Sequence, residues 1–342
     1  MRLALLVPGP FDAVSGGYAY DRRMVAGLRA AGHDVRVVEL SGQFPLADDT
    51  ARGAAAAAWA GLATDEMPII DGLALPAFSA TALAERAGVG LIHHPTALET
   101  GFAEDTRECL REIERQLMPL LTRVIVTSEP TAERLVAEFG VRRDRINVVV
   151  PGTEEAPRYH GSADGLCRLL SIGTLVPRKG HDQLLRALAR LTDMAWQLTI
   201  VGAADRDPVH AHGLVALAEE LGLANRVRFA GEVVDDGLEA LWRETDIFAL
   251  ATQYEGYGMA IAEALKRGIP VAVTAGGAAG TLVPADAGVV CPVGDVDQLS
   301  KALRRMIFGR ELRAYLAEHA WAAGQALPSW DDQARAFAAA LT

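Results

Sequence analysis

Short apolar runs bounded by glycine or proline alternate with longer amphipathic stretches along nearly all of this 342-residue chain, and that alternation leaves few folds open. Strands buried on both faces read as continuous apolar runs, and each crossover helix needs one apolar face, so the pattern is that of a parallel sheet. In the first half the runs 3–7, 35–39, 89–92, 124–127 and 146–150 read as strands. Residues 18–31 read as a helix stopped at Gly32, and Ser128 caps another that ends at Gly140. Across 151–165 the pattern dissolves into Pro, Gly, Glu, Ser and Asp, which marks a linker. It then restarts: strand 168–172, helix 181–191, strand 196–201, helix 209–221, strand 227–229, helix 237–245, strand 247–250, helix 259–267 and strand 270–273. The fold class is therefore α/β, two Rossmann-like domains in tandem at 1–155 and 156–325, followed by an amphipathic segment at 326–342. The length agrees, since a single core rarely serves so long a chain.

A net charge of −11 argues against nucleic acid as a partner, because phosphate backbones demand a concentrated basic surface. An anionic ligand must be met locally. The only lysines are Lys179, Lys266 and Lys301, so Lys179, beside a glycine in a loop, stands out. Cys109, Cys167 and Cys291 show no metal-ligand or disulfide spacing and are expected in the core. The apolar run after Met1 is too short for a signal peptide and no 18-residue apolar span occurs, so the expectation is a cytoplasmic protein with membrane association unlikely. Residues 1–155 lack lysine, and the cluster Arg142, Arg143, Arg145 is short and mixed with Asp144.

Parallel sheets bind ligands beyond the carboxyl ends of their strands. The first such loop, PGPFDAVSGG, is not a GxGxxG fingerprint, which disfavours a nicotinamide dinucleotide; Gly16 and Gly17 sit where a helix begins and either admit a ligand or serve a turn. In GTLVPRKG, Arg178 and Lys179 stand just before a helix. Paired cations there can stabilise the charge that grows on a departing pyrophosphate, or they are solvated surface. In QYEGYGMAIAE, Glu255 and Glu263 flank a helix start eight residues apart, with Gly256 and Gly258 uncovering amides between them. Ionised carboxylates accept hydrogen bonds from vicinal hydroxyls, which suits a sugar; the plainer readings are a capping acid and a helix-surface acid.

These segments together resemble the retaining glycosyltransferases of family 4, with the GT-B fold and an E-x7-E motif that Glu255 and Glu263 match. SGGYAYDRR, RKGHDQLLRAL, VRFAGEV and GIPVAVTAGG extend the resemblance over nearly the whole chain. It implies two domains facing a cleft, a final helix crossing back to the first domain, and transfer of a hexose-type sugar from a UDP- or GDP-type donor; the lysine-free, net acidic first domain points to a small soluble acceptor. No metal or other cofactor is implied, since the departing phosphate takes the acceptor proton. Arg178 and Lys179 would bind the diphosphate, Glu255 the sugar and Glu263 the ribose. Gly256, Gly258, Met259 and Ala260 would line sugar and phosphate, Val233 would meet the base, and Gly16 and Gly17 would close over the phosphate. His93 is the expected catalytic histidine, with His94 its neighbour. No carboxylate of the first domain is placed by sequence as nucleophile or base. The chain has Ala260 where relatives commonly have proline, and Ala278-Ala279-Gly280 where an acid is common. Asp205-Arg206-Asp207 and Asp295-Val296-Asp297 imitate metal-binding DxD but suit turns and helix caps. The competing classes are a nucleotide-sugar epimerase or phosphorylase of the same fold and a non-catalytic sugar-nucleotide sensor. Oligomeric state is not legible.

Overall fold

The structure, a computed structural model, describes residues 1–99, 101–162 and 164–342. It divides into two units, Met1–Gly152 with Pro328–Thr342, and Thr153–Leu327. The linker residues up to Leu166 have no regular secondary structure and belong to the second unit, where Tyr159 N–H donates to the Arg267 carbonyl at 3.0 Å; Ala163 lies outside the described residues.

The first unit alternates β1 (Arg2–Pro8), α1 (Gly16–Ala30), β2 (Asp34–Leu40), α2 (Asp49–Ala60), β3 (Glu66–Asp71), α3 (Ala80–Glu85), β4 (Val89–Ile92), α4 (Glu104–Leu117), β5 (Arg123–Val126), α5 (Glu129–Phe139) and β6 (Ile146–Val148). All its strand pairs are parallel, in the order β2-β1-β3-β4-β5-β6. β3 is central yet escaped the sequence reading because Pro68 interrupts a short run and cannot donate to a ladder. The Asp48 side chain caps α2, which absorbs the alanine run. On α4 the inward side is Leu110, Glu114 and Leu117. Cys109 falls on its outer face and is exposed, against the expectation of core packing, while Cys167 and Cys291 are buried.

The second unit runs β7 (Cys167–Ile172), α6 (His181–Leu188), β8 (Trp196–Val201), α7 (Pro208–Glu220), β9 (Val227–Phe229), α8 (Asp235–Glu244), β10 (Ile247–Leu250), α9 (Met259–Lys266), β11 (Val271–Thr274), α10 (Ala279–Leu282), β12 (Gly288–Cys291), α11 (Val296–Phe308) and α12 (Arg310–Gln325). Its parallel order is β12-β11-β10-β7-β8-β9. Asp207 and Asp295 cap α7 and α11, accepting from His210 N and Gln298 N.

The last helix, α13 (Trp330–Ala340), belongs to the first unit. Ser329 and Asp332 form a reciprocal capping box, and Phe337 is fully buried with Tyr20, Met24 and Leu28 of α1. No described helix is long and apolar enough to cross a membrane.

Candidate active site

In the second sheet the strand order reverses between β7 and β10, and their loops carry the expected charges. After β7, Pro177, Arg178 and Lys179 form one tight turn closed by Gly180 at φ 64°. A β-carbon on Gly180 would lie 1.9 Å from the Ala251 carbonyl oxygen, so only glycine lets this turn press against the loop after β10. The loops are then stitched together: Gln253 N–H donates to the Arg178 carbonyl at 2.8 Å and the Arg178 guanidinium to the Tyr254 carbonyl at 2.6 Å.

Lys179 Nζ reaches Glu255 Oε1 at 2.7 Å, and the Thr252 hydroxyl donates to the same oxygen at 3.0 Å; Arg178 stands 3.9 Å away. Burial of Glu255 favours its neutral form, but the charges of Lys179 and Arg178 and the two hydrogen bonds outweigh it and hold the carboxyl below its ordinary range. The Glu255 backbone is pinned on both sides. It donates to Gly276 O at 3.1 Å, accepts from Ala278 N at 2.9 Å, and forms an isolated parallel bridge with Gly277.

Gly258, at φ 104°, is the N-cap of α9 and contributes no side chain. The first bonds into the helix are donated by Ile261 and Ala262, so the amides of Met259 and Ala260 precede the ladder and leave a positive helix end for an anion. Glu263 projects from the second turn and is half-buried, with no hydrogen bond to its carboxyl among the described residues. Burial pushes it up to about 7, Arg267 opposing and Glu239 adding to the rise. Val233 lies in the loop after β9, on the same carboxyl edge of the sheet, packed against the core. Gly256 lies in the loop between Glu255 and α9.

In the first unit Gly16 and Gly17 form the first turn of α1, capped by Ser15, and Gly17 closes against the His93 ring. His93 ends β4. Its Nε2 is 2.9 Å from Asp21 Oδ1 of α1 and 3.7 Å from Asp71 Oδ2 at the end of β3, whereas His94 turns to Glu99 at 3.3 Å. The sequence reading placed no carboxylate of this domain at the site; two lie beside His93, with ligand atoms within 4.8 Å of one another. Glu114 anchors the turn that follows, accepting from Thr96 N at 2.6 Å and Ala97 N at 3.2 Å. The signal for Asp21 was its place four residues after Gly17 on one helix face.

Of the four acids in the DxD imitations, three are engaged elsewhere: Asp207 and Asp295 as caps and Asp297 with Arg190.

Two cations thus stand against a buried carboxylate beside an open helix end. Residues 153–322 match the family model for glycosyl transferases group 1. That group 1 segment covers nearly the whole second unit. Among curated proteins, the D-inositol 3-phosphate glycosyltransferase of Rhodococcus opacus is 30% identical over 58% of this chain and 50% of its own length. The mannosylfructose-phosphate synthase of Agrobacterium fabrum is 28% identical over 44% of this chain and 37% of its own. The chain thus spans half or less of these relatives. Among solved structures, sucrose-phosphate synthase from Thermosynechococcus elongatus superposes with a TM-score of 0.83 at 20% identity, covering 99% of this chain and 98% of its own. HepE of Anabaena, solved with UDP and glucose, gives 0.77 at 19% identity over 100% and 99%. The expected GT-B architecture of two Rossmann-like domains is the one observed.

Proposed function

We propose that this chain is a group 1 glycosyltransferase, a retaining member of family 4 that transfers a hexose-type sugar from a UDP- or GDP-sugar to a small soluble acceptor, without a metal or cofactor. The observation that carries the reading is the unit built from Arg178, Lys179 and Glu255 against the open start of α9. Arg178 and Lys179 take the diphosphate and stabilise the charge that develops as the glycosidic bond breaks. The amides of Gly256, Gly258, Met259 and Ala260 assist. Glu255, kept ionised by its neighbours, accepts hydrogen bonds from the sugar's hydroxyls, and Glu263 from the ribose; Val233 meets the base. Gly16, Gly17 and His93 are the first unit's contribution. The departing phosphate takes the acceptor's proton, so Glu255 holds the sugar and does not attack it.

A small acceptor is supported by the charges of the first unit: Arg142 pairs with Asp144, Arg143 with Glu129, and Arg145 bonds the Pro119 carbonyl, which leaves little basic surface for anionic lipid. The two curated relatives carry names of small phosphorylated products or acceptors.

The test is thermal shift with UDP-, GDP- and ADP-sugars, followed by donor hydrolysis. A donor at a hundred times its Kd raises stability by about 2.7 kcal/mol. Glu255→Gln is expected to lower hydrolysis by at least about a hundredfold, and a chelator to leave it within about twofold. An unaffected rate in Glu255→Gln, or no shift with any donor, overturns the reading.

A further inference from the structure

The proposed transfer uses His93 but gives no part to the groups behind it. Asp21 and Asp71 are sealed, their side chains 0% and 2% exposed, while His93 is 18% exposed and its Nδ1 has no partner among the described residues. Asp21 Oδ2 is buried without a hydrogen bond. A carboxylate held this way is costly unless an opposite charge stands beside it. The ring is also hemmed in sideways: the Tyr20 ring meets it edge-on at 5.3 Å, its hydroxyl tied to the Val149 carbonyl, and a β-carbon on Gly17 would lie 3.3 Å from its Cδ2.

We infer that Asp21 is a positioning residue for the transfer reaction: it fixes the plane of the His93 ring and keeps the Nε2 proton in place, so that an imidazolium presents Nδ1–H to an oxygen of the sugar substrate. This rests on the glycosyltransferase reading. With Nε2 committed to Asp21, only Nδ1 can reach a ligand, and a donor fixed in a dry setting acts without reorganising. The titratable groups facing the ring are Asp21 and Tyr20 of α1 and Asp71 of β3. Burial weakens the imidazole's hold on its second proton, but the charge and hydrogen bond of Asp21 and the charge of Asp71 outweigh it, and His93 stays protonated above its ordinary range. Burial, then the charge of Asp21, pushes Asp71 up to about 7. Tyr20, raised well above its ordinary value by burial, stays neutral.

The experiment is a titration of the full-length protein by NMR of 15N-labelled histidine, the His93 signal assigned with His93→Gln. It is combined with kcat and KM against pH for hydrolysis of UDP-glucose or GDP-mannose, whichever raises the melting temperature. Wild-type His93 is expected to titrate above the ordinary histidine value of about 6.5. Asp21→Asn is expected to lower that value by about one unit or more, cut kcat about a hundredfold with donor KM within about threefold, and move the alkaline limb of kcat to lower pH. Asp21→Glu restores part of kcat. A wild-type His93 that titrates at or below the ordinary value overturns the inference. So does an Asp21→Asn protein that loses activity while the His93 titration and the pH limb stay put, which is a structural defect. If Asp21→Asn does not fold, Asp71→Asn decides. His93 still titrating high supports Asp21, and a fall to the ordinary value assigns the role to Asp71 and overturns the proposal. Failure of the donor reading shows separately, as an unaffected Glu255→Gln, and leaves the titration readable.

Discussion

Glu263 carries the strongest pH signature of the proposed donor site. Its carboxyl, raised to about 7 mainly by burial, is half-ionised near neutrality. A folded pKa above the unfolded one means that its contribution to stability is complete below the ordinary carboxylate range and is lost as pH rises through about 7. Glu263→Gln should therefore raise the unfolding free energy by about 1–2 kcal/mol at pH 8 but not at pH 4, seen as a higher melting temperature at pH 8 alone. Ribose hydroxyls donate best to the ionised form, so donor affinity in the wild type should rise between pH 6 and 8 and be flat in Glu263→Gln; isothermal titration at several pH values checks both. Glu255 and Glu263 were legible in the sequence because spacing, glycines and helix start lie in one segment. The partnership of Lys179 with Glu255 was not, since it joins residues 76 apart, and neither were Asp21 and Asp71, which meet His93 only once three elements are folded together.

Among the strands, the runs bounded by glycine and proline were readable, and the two missed had physical reasons. β3 hides behind Pro68, and β12 is a four-residue edge strand with little apolar length to show. The sequence led one to expect the last helix to reach the first domain but did not name α1 as its partner, because that contact depends on a missing side chain. A β-carbon on Gly27 would lie 2.3 Å from Ala334 Cβ. Gly27→Ala should thus gain helix propensity and still destabilise the first unit, by about 1–3 kcal/mol of overpacking; Gly27→Ala combined with Ala334→Gly should recover most of it. Urea unfolding of the three variants measures this, and a stabilised single variant would show that the helices do not press here.

Taken whole, the molecule has separate apolar cores in each unit, with α13 supplying Ala334, Phe337 and Leu341 to one of those in the first. Ending the chain after Leu327 should strip that cluster, cost about 3 kcal/mol or more, and expose amides of α1 and β1 to hydrogen exchange while residues 153–327 keep their protection. Unchanged exchange in α1 would count against that role for α13. The double-sided pinning of Glu255 bears on redesign. Because Glu255, the residue proposed to hold the sugar, is hydrogen-bonded through its backbone to Gly276 and Ala278, the loops after β10 and β11 behave as one cassette. A graft that exchanges either loop alone leaves the other's register orphaned, so altering which sugar this scaffold accepts calls for transplanting both together.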